Sequence, residues 1–232
     1  MKRLCIASII MAVCASALVS SCTNTPKDNG KELAPLSEGE FRIIGQLPAE
    51  RFDSACIYLV PMLGPHPRPV DSVFVGRDGS FCFEGNVEQM AVLRLGWRQR
   101  YGTQELLVVT EPGTLKVTLD SISSGYGTPQ NDSLQLLKER LAVYNNNVAV
   151  LRQKSRAGVI DTATFRVTFQ EMRAEMGNYN YRLIKNLGNT TLARFIFRQM
   201  FSGSLTNEKR EELNELLVDT TDYKLPQPGF RR

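Results

Sequence analysis

The stretch Val73-Phe74-Val75-Gly76-Arg77-Asp78-Gly79-Ser80-Phe81-Cys82-Phe83-Glu84 decides how the first half of this chain is read. Apolar residues alternate on both sides of Asp78-Gly79, and an Asp-Gly pair supplies the positive φ angles of a two-residue hairpin turn. The pattern predicts two antiparallel strands with Phe74 opposite Phe83, and with Phe74, Phe81 and Phe83 on one face. Cys82 then falls on the other face, opposite Val75. Working outward, residues 41–45, 55–60, 70–76, 80–84, 90–98, 105–110 and 114–120 are short runs rich in Val, Ile, Leu, Phe and Tyr, separated by Gly, Pro and Asp. Seven such strands predict an antiparallel β-sandwich or an open barrel. Glu111-Pro112-Gly113-Thr114 reads as a second hairpin turn, with proline preset for the first corner and glycine able to take the left-handed one.

The hydrophobic period changes at Asn131. Leu134, Leu137, Leu141, Tyr144, Val148 and Leu151 fall three and four residues apart, a single apolar stripe along a helix of about five turns. Asp132 with Gln135 fits a capping box at its start, and Asn145-Asn146-Asn147 marks a place where it can break. Gly158 ends the segment, Asp161 or Thr162 caps the next, and Phe165, Phe169, Met172, Met176, Tyr179 and Leu183 repeat the spacing. These aromatic and methionine stripes are core positions of an antiparallel helix pair. Two short helices are expected at 191–201 and 207–218. The fold class is therefore α+β: a β-sandwich or open barrel of about seven strands, followed by about four helices.

At the amino terminus Lys2 and Arg3 precede an apolar run over 4–19, too short and wrongly flanked for a transmembrane span. The run ends in Leu18-Val19-Ser20-Ser21-Cys22. This ending resembles the lipobox of bacterial lipoproteins, which implies cleavage between Ser21 and Cys22 and acylation of Cys22, by palmitate among other chains. Two or more acyl chains hold a protein stably in a lipid bilayer, whereas one holds it only marginally. Thr23 stands where the inner-membrane retention signal would have Asp, so the resemblance implies a cell-envelope protein on the outer membrane, facing the periplasm. The division expected is a signal peptide over 1–21, a polar tether over 22–36, a β domain over 37–127, a helical domain over 128–222 and a disordered tail over 223–232.

The series Phe41-Arg42-Ile43-Ile44-Gly45, Ile57-Tyr58-Leu59, Asp71-Ser72, Asp78-Gly79-Ser80-Phe81-Cys82-Phe83-Glu84-Gly85, Glu111-Pro112-Gly113 and Gly127-Thr128-Pro129-Gln130-Asn131-Asp132 resembles DUF4369, a domain of unknown function. The resemblance covers about residues 40 to 138. That domain occurs in lipoproteins of Bacteroidetes and often precedes a thioredoxin-like domain of the AhpC/TSA or TlpA type. Its motifs are turn and strand signatures, so they imply a fold and not an activity. No Cys-x-x-Cys occurs in the sequence, so the redox chemistry of the longer relatives does not transfer.

Composition excludes several classes. With 42% hydrophobic and 22% charged residues in 232, the chain is ordinary globular protein. Its 28 basic and 24 acidic residues give +4, and loss of Lys2 and Arg3 with the signal leaves too little charge to point to nucleic acid. The single histidine, His66, rules out chemistry that needs two imidazoles and reads as a solvated loop residue in Gly64-Pro65-His66-Pro67. Arg94, Trp97, Arg98, Arg100 and Tyr101 interleave charge with aromatic rings and read as a strand end or a glycan-facing patch. Neither a catalytic pair, nor a cofactor motif, nor a metal site is legible. Once Cys5 and Cys14 leave with the signal and Cys22 is acylated, Cys56 and Cys82 remain. A disulfide between them is allowed if their strands adjoin.

Three functional readings follow. The first is a lipid-anchored, non-catalytic binding or assembly module with an envelope protein or glycan as partner and no nucleic acid. The second is an accessory subunit of a separately encoded thioredoxin-like oxidoreductase, and the third is an envelope hydrolase.

Overall fold

The computed structural model describes residues 27–28, 31–47, 55–62, 68–96, 105–201 and 203–217. The signal segment, Cys22, His66, residues 97–104 and the tail from 218 lie outside the described residues.

Eight strands build a sandwich. One sheet has the order β10-β9-β3-β6, from β3 (Phe41–Gln46), β6 (Ser80–Gly85), β9 (Gly113–Thr118) and β10 (Ser124–Tyr126). The other has the order β5-β4-β7-β8, from β4 (Cys56–Pro61), β5 (Asp71–Phe74), β7 (Met90–Leu95) and β8 (Glu105–Val109). Inward-facing residues of both sheets, among them Ile43, Ile57, Phe81, Phe83, Leu93 and Leu115, form one buried core. Phe81 and Phe83 meet edge to face at 6.1 Å, and burying each ring contributes about 1.5–3 kcal/mol. Two further strands, β1 (Lys27–Asp28) and β2 (Lys31–Glu32), pair with each other inside the segment read as a tether.

The sandwich has eight strands where seven were expected, because the three-residue β10, Ser124-Gly125-Tyr126, carries almost none of the β-branched signal that marks the others. It is also not wholly antiparallel, since β3 and β9 run parallel in register from Phe41 beside Gly113 to Gln46 beside Thr118.

The structure corrects the expected register around Asp78. The turn holds three residues, not two: Gly79 donates to Gly76 O at 2.9 Å, and Gly76 donates to Ser80 O at 2.8 Å. Gly79 takes a φ of +84°, and the Asp78 carboxylate accepts from the backbone and hydroxyl of Ser80. One extra residue flips the alternation. Val75 therefore joins Phe81 and Phe83 in the core, whereas Phe74 is 73% exposed. Cys82 faces Ile44 of β3 instead of Val75, and Phe74 pairs with Cys56 of β4. The Glu111-Pro112-Gly113 turn is likewise a corner between sheets and not a hairpin, because β8 and β9 belong to different sheets. Local turn chemistry reverses the chain at both places; the partner of each strand is decided by packing.

Four helices follow: α1 (Pro129–Arg156), α2 (Thr162–Leu187), α3 (Thr191–Phe195), which continues into a π-helical turn over Ile196–Met200, and α4 (Asn207–Leu216). α1 starts three residues before the expected capping box, with Thr128 at the cap position and Pro129 in the first turn. Asp132 instead accepts from Gly127 N at 2.8 Å. The helix runs unbroken through Asn145-Asn146-Asn147. For α2, Asp161 is the cap and accepts from Thr164 N at 2.6 Å. The helices cover one end of the outer face of the β5-β4-β7-β8 sheet: Met90 and Val109 share a second core with Leu134, Leu137, Met176, Ile184, Leu192 and Ile196. The close approach at Gly177, where a Cβ would lie 1.9 Å from Ser204 O, seats the segment after the π-turn against α2.

Candidate functional site: an open strand edge beside helix α1

β8 is the last strand of its sheet. The pair Thr110 N to Gln89 O, taken with the register of Met90 beside Val109 and Val92 beside Leu107, sets which groups face β7. Those of Leu106 and Val108 do, and those of Val109 and Leu107 point away.

At Val109 the outward groups are satisfied by a side chain. The Val109 N–H donates to Asn131 Oδ1 at 2.9 Å, and Asn131 Nδ2 donates to Val109 O at 2.8 Å. The carboxamide thus takes the place of a peptide unit of a neighbouring strand. Asn131 is held for this by its own turn of α1, where Nδ2 also reaches Thr128 Oγ1 at 2.8 Å. Glu111, itself 7% exposed, accepts from the backbone N–H groups of Gln130 at 2.7 Å and Asn131 at 3.0 Å. A carboxylate on the first orphan donors of a helix is stabilising both as a cap and against the macrodipole. Gln130 extends the joint, donating to Glu88 Oε1 at 3.0 Å and accepting from Leu192 N at 2.9 Å. Sandwich, α1 and α3 therefore meet at one set of buried hydrogen bonds.

Two residues along the same edge the situation changes. The outward N–H and C=O of Leu107 have no protein partner among the described residues, and they face a groove of about 360 Å³ between β8 and α1. Leu107, Leu134, Leu141, Ala142 and Met200 make its apolar wall, with Lys138 and Asn145 on the helix side. Lys138 donates to the carbonyls of Ile122 and Ser123, closing a turn in which Ser123 has a φ of +41° and Asp120 accepts from Ile122 N and Ser123 N. Burial pulls the Lys138 ammonium below lysine's ordinary range, and Asp120 and Glu139 pull back. At the far end of the groove Glu105 pairs with Arg94 Nε at 2.5 Å.

The residues singled out in sequence are scattered. Cys56 lies on the outer face of β4, where the Tyr58 hydroxyl bonds to it and has its own pKa raised in consequence. Cys82 lies on the outer face of β6, in the other sheet. Neither is in a disulfide, and their strands do not adjoin. Arg94 is engaged with Glu105, while Cys22, His66, Trp97, Arg98, Arg100 and Tyr101 lie outside the described residues. Met176 is core, and Phe165 and Phe169 stack at 5.8 Å along the helix pair. Among the described residues no three His, Cys, Asp or Glu side chains gather as metal ligands, and no helix is long and apolar enough to cross a membrane. The groove itself was not legible, because its two walls come from segments whose spacing says nothing about each other. The only sequence sign of the joint was Pro129, which starts a helix one turn earlier than the apolar stripe does.

Comparison with known families matches residues 41–134 to the model of a domain of unknown function. Those residues are a DUF4369 domain. No curated protein matches the chain. The matched stretch contains the whole sandwich and ends at Leu134, so Glu111, Thr128 and Asn131 belong to the DUF4369 domain, and with them the part of the joint that ties the sandwich to the first turn of α1. Leu141, Ala142 and Met200, the remaining wall of the groove, come from the helices beyond.

Proposed function

We propose that this chain is a non-catalytic binding module of the bacterial cell envelope, anchored to the outer membrane through acylated Cys22 and facing the periplasm, and that it takes an extended peptide segment of an envelope protein. The observation that carries this reading is the open edge at Leu107: a donor and an acceptor in strand geometry, facing a groove with an apolar wall. A peptide that adds to a sheet edge supplies both backbone partners and places alternate side chains in such a wall, which a glycan does not do. The Asn131 carboxamide already pairs with Val109 in this manner one step along.

A hydrolytic reading finds less support, because the partly or fully buried carboxylates near the groove have structural partners: Glu111 holds the α1 terminus, Asp120 its turn and Glu105 Arg94. The test is photo-crosslinking in the native envelope from a photoreactive residue at Ala142, which is exposed and lines the groove, compared with Thr118, which is exposed on the opposite sheet. The reading expects a discrete protein adduct from position 142 and none from 118. Equal or absent labelling at both would refute it.

A further inference from the structure

From residue 149 to residue 175 no side chain is fully buried, so the outer half of the α1–α2 pair stands clear of the sandwich as a two-helix arm. At its apex the chain turns through Gly158 at a φ of +69°, with Gly158 N on Ser155 O at 3.1 Å and Val159 N on Lys154 O at 3.0 Å. This turn fixes Val159 in a projecting position, 69% exposed, with Val150 and Val167 also open to solvent. Around them stand four cations, Arg152, Lys154, Arg156 and Arg166, against the single carboxylate of Asp161. Asp161 is already committed to capping α2 at Thr164 N. None of the four cations makes an ion pair or a side-chain hydrogen bond among the described residues. Complementing the helix dipole accounts for Lys154 and Arg156 in the last turn of α1. It does not account for Arg166, which lies in the first turns of α2, where the dipole disfavours a cation, nor for an exposed valine at the tip.

We propose that this apex docks on the anionic headgroup surface of a membrane, with the four cations on the phosphates and Val159 entering the interface. A convex apolar tip ringed by unpaired positive charge complements a negatively charged, fluid surface that can accept a protruding side chain. A nucleic-acid surface is a poorer match, because no aromatic ring at the tip is free to stack: Phe165 and Phe169 are half-buried against each other. The contact is independent of the acyl anchor and of the groove, and it would fix which way the sandwich points.

The test uses the full chain carrying Val159→Trp together with Trp97→Phe, which removes the only native tryptophan, added to preformed vesicles with brominated acyl chains. The proposal expects tryptophan quenching on phosphatidylglycerol vesicles and little on phosphatidylcholine. Quenching should be lost near 1 M salt, where the Debye length is about 3 Å. Arg152→Gln, Lys154→Gln and Arg156→Gln together should weaken the docking equilibrium of the apex, read from the quenching, about a hundredfold, at about fivefold per charge. Because the triple variant keeps any anchor, its effect reports the apex alone. In the unsubstituted chain, the same vesicles should slow amide exchange across residues 150–167. Quenching that is equal on both lipids, or untouched by the triple substitution, would overturn the proposal, as would unchanged exchange.

Discussion

Asn131 pairs its side-chain amide with both backbone groups of Val109, at 2.9 and 2.8 Å, so the first turn of α1 closes the edge of β8 as a neighbouring strand would. Both residues are buried, and the bond pair joins the sandwich to the helices.

Replacing Asn131 with Leu should therefore cost about 3 kcal/mol, since it leaves both Val109 groups and the Thr128 hydroxyl without their side-chain partner in a dry site. Urea unfolding at unchanged m-value measures this, and a loss below about 1 kcal/mol would contradict the joint. Limited proteolysis gives a second reading: residues 125–129 should resist cleavage in the native chain and become sensitive in Asn131→Leu.

Gly45 faces Phe81 across the β3–β6 pair, and a Cβ on Gly45 would lie 1.8 Å from the ring. Gly45→Ala is expected to destabilise by about 1–3 kcal/mol through overpacking. Combining it with Phe81→Leu should return part of that loss, giving a non-additive cycle. Additive effects of the two substitutions would show that the ring does not rest on this glycine.

What the sequence shows of this fold follows the range of each interaction. The helical stripes through Leu134 to Leu151 and Phe165 to Leu183, the cap at Asp161 and most strands are local patterns, and the structure contains them. The register at Phe74 depended on one residue more or less in a turn, which the Asp78-Gly79 pair alone does not specify. Strand partners were less legible still: β5 and β6 are adjacent in sequence but pair with β4 and β3, because each sheet face must meet the other. The groove was invisible for the same reason, as Leu107 and Leu141 lie on elements with no sequence signature of contact. Glu111 read as part of a turn and is in fact the carboxylate that holds α1.

Acid should weaken the fold in a defined window. Backbone N–H groups of Ile122 and Ser123 hold the Asp120 carboxyl below its ordinary 3.8, the Thr164 backbone does the same for Asp161, and Lys185 followed by Tyr181 lowers Glu212 from 4.5. Groups with depressed folded values contribute stability above their unfolded values, and that contribution is lost as pH falls through the folded ones. The urea midpoint should thus hold steady above pH 4.5 and decline below 3.8, less steeply in Asp120→Asn. Lys185 is raised by Glu212, so its contribution is lost only as pH rises beyond 10.5. A midpoint that rises on acidification would contradict these assignments.

Cys56 and Cys82 are half-buried thiols on outer faces of opposite sheets. Protein isolated without reductant and alkylated after unfolding should show both residues modified and no mass loss corresponding to a bond between them. A Cys56–Cys82 disulfide peptide would require a different strand order.

The most direct test of the peptide-binding account is Leu107→Pro, assayed by photo-crosslinking from position 142 in the native envelope. Of the backbone groups, proline at this edge position removes only the N–H that points away from β7, which sheet edges tolerate; Leu107→Ala keeps that N–H and, like proline, trims the leucine side chain from the wall. The account predicts that the adduct disappears in a Leu107→Pro chain that still folds and persists, weakened, in Leu107→Ala, both variants losing the packing of the leucine side chain on the second core. An adduct of undiminished yield in a folded Leu107→Pro chain would contradict it.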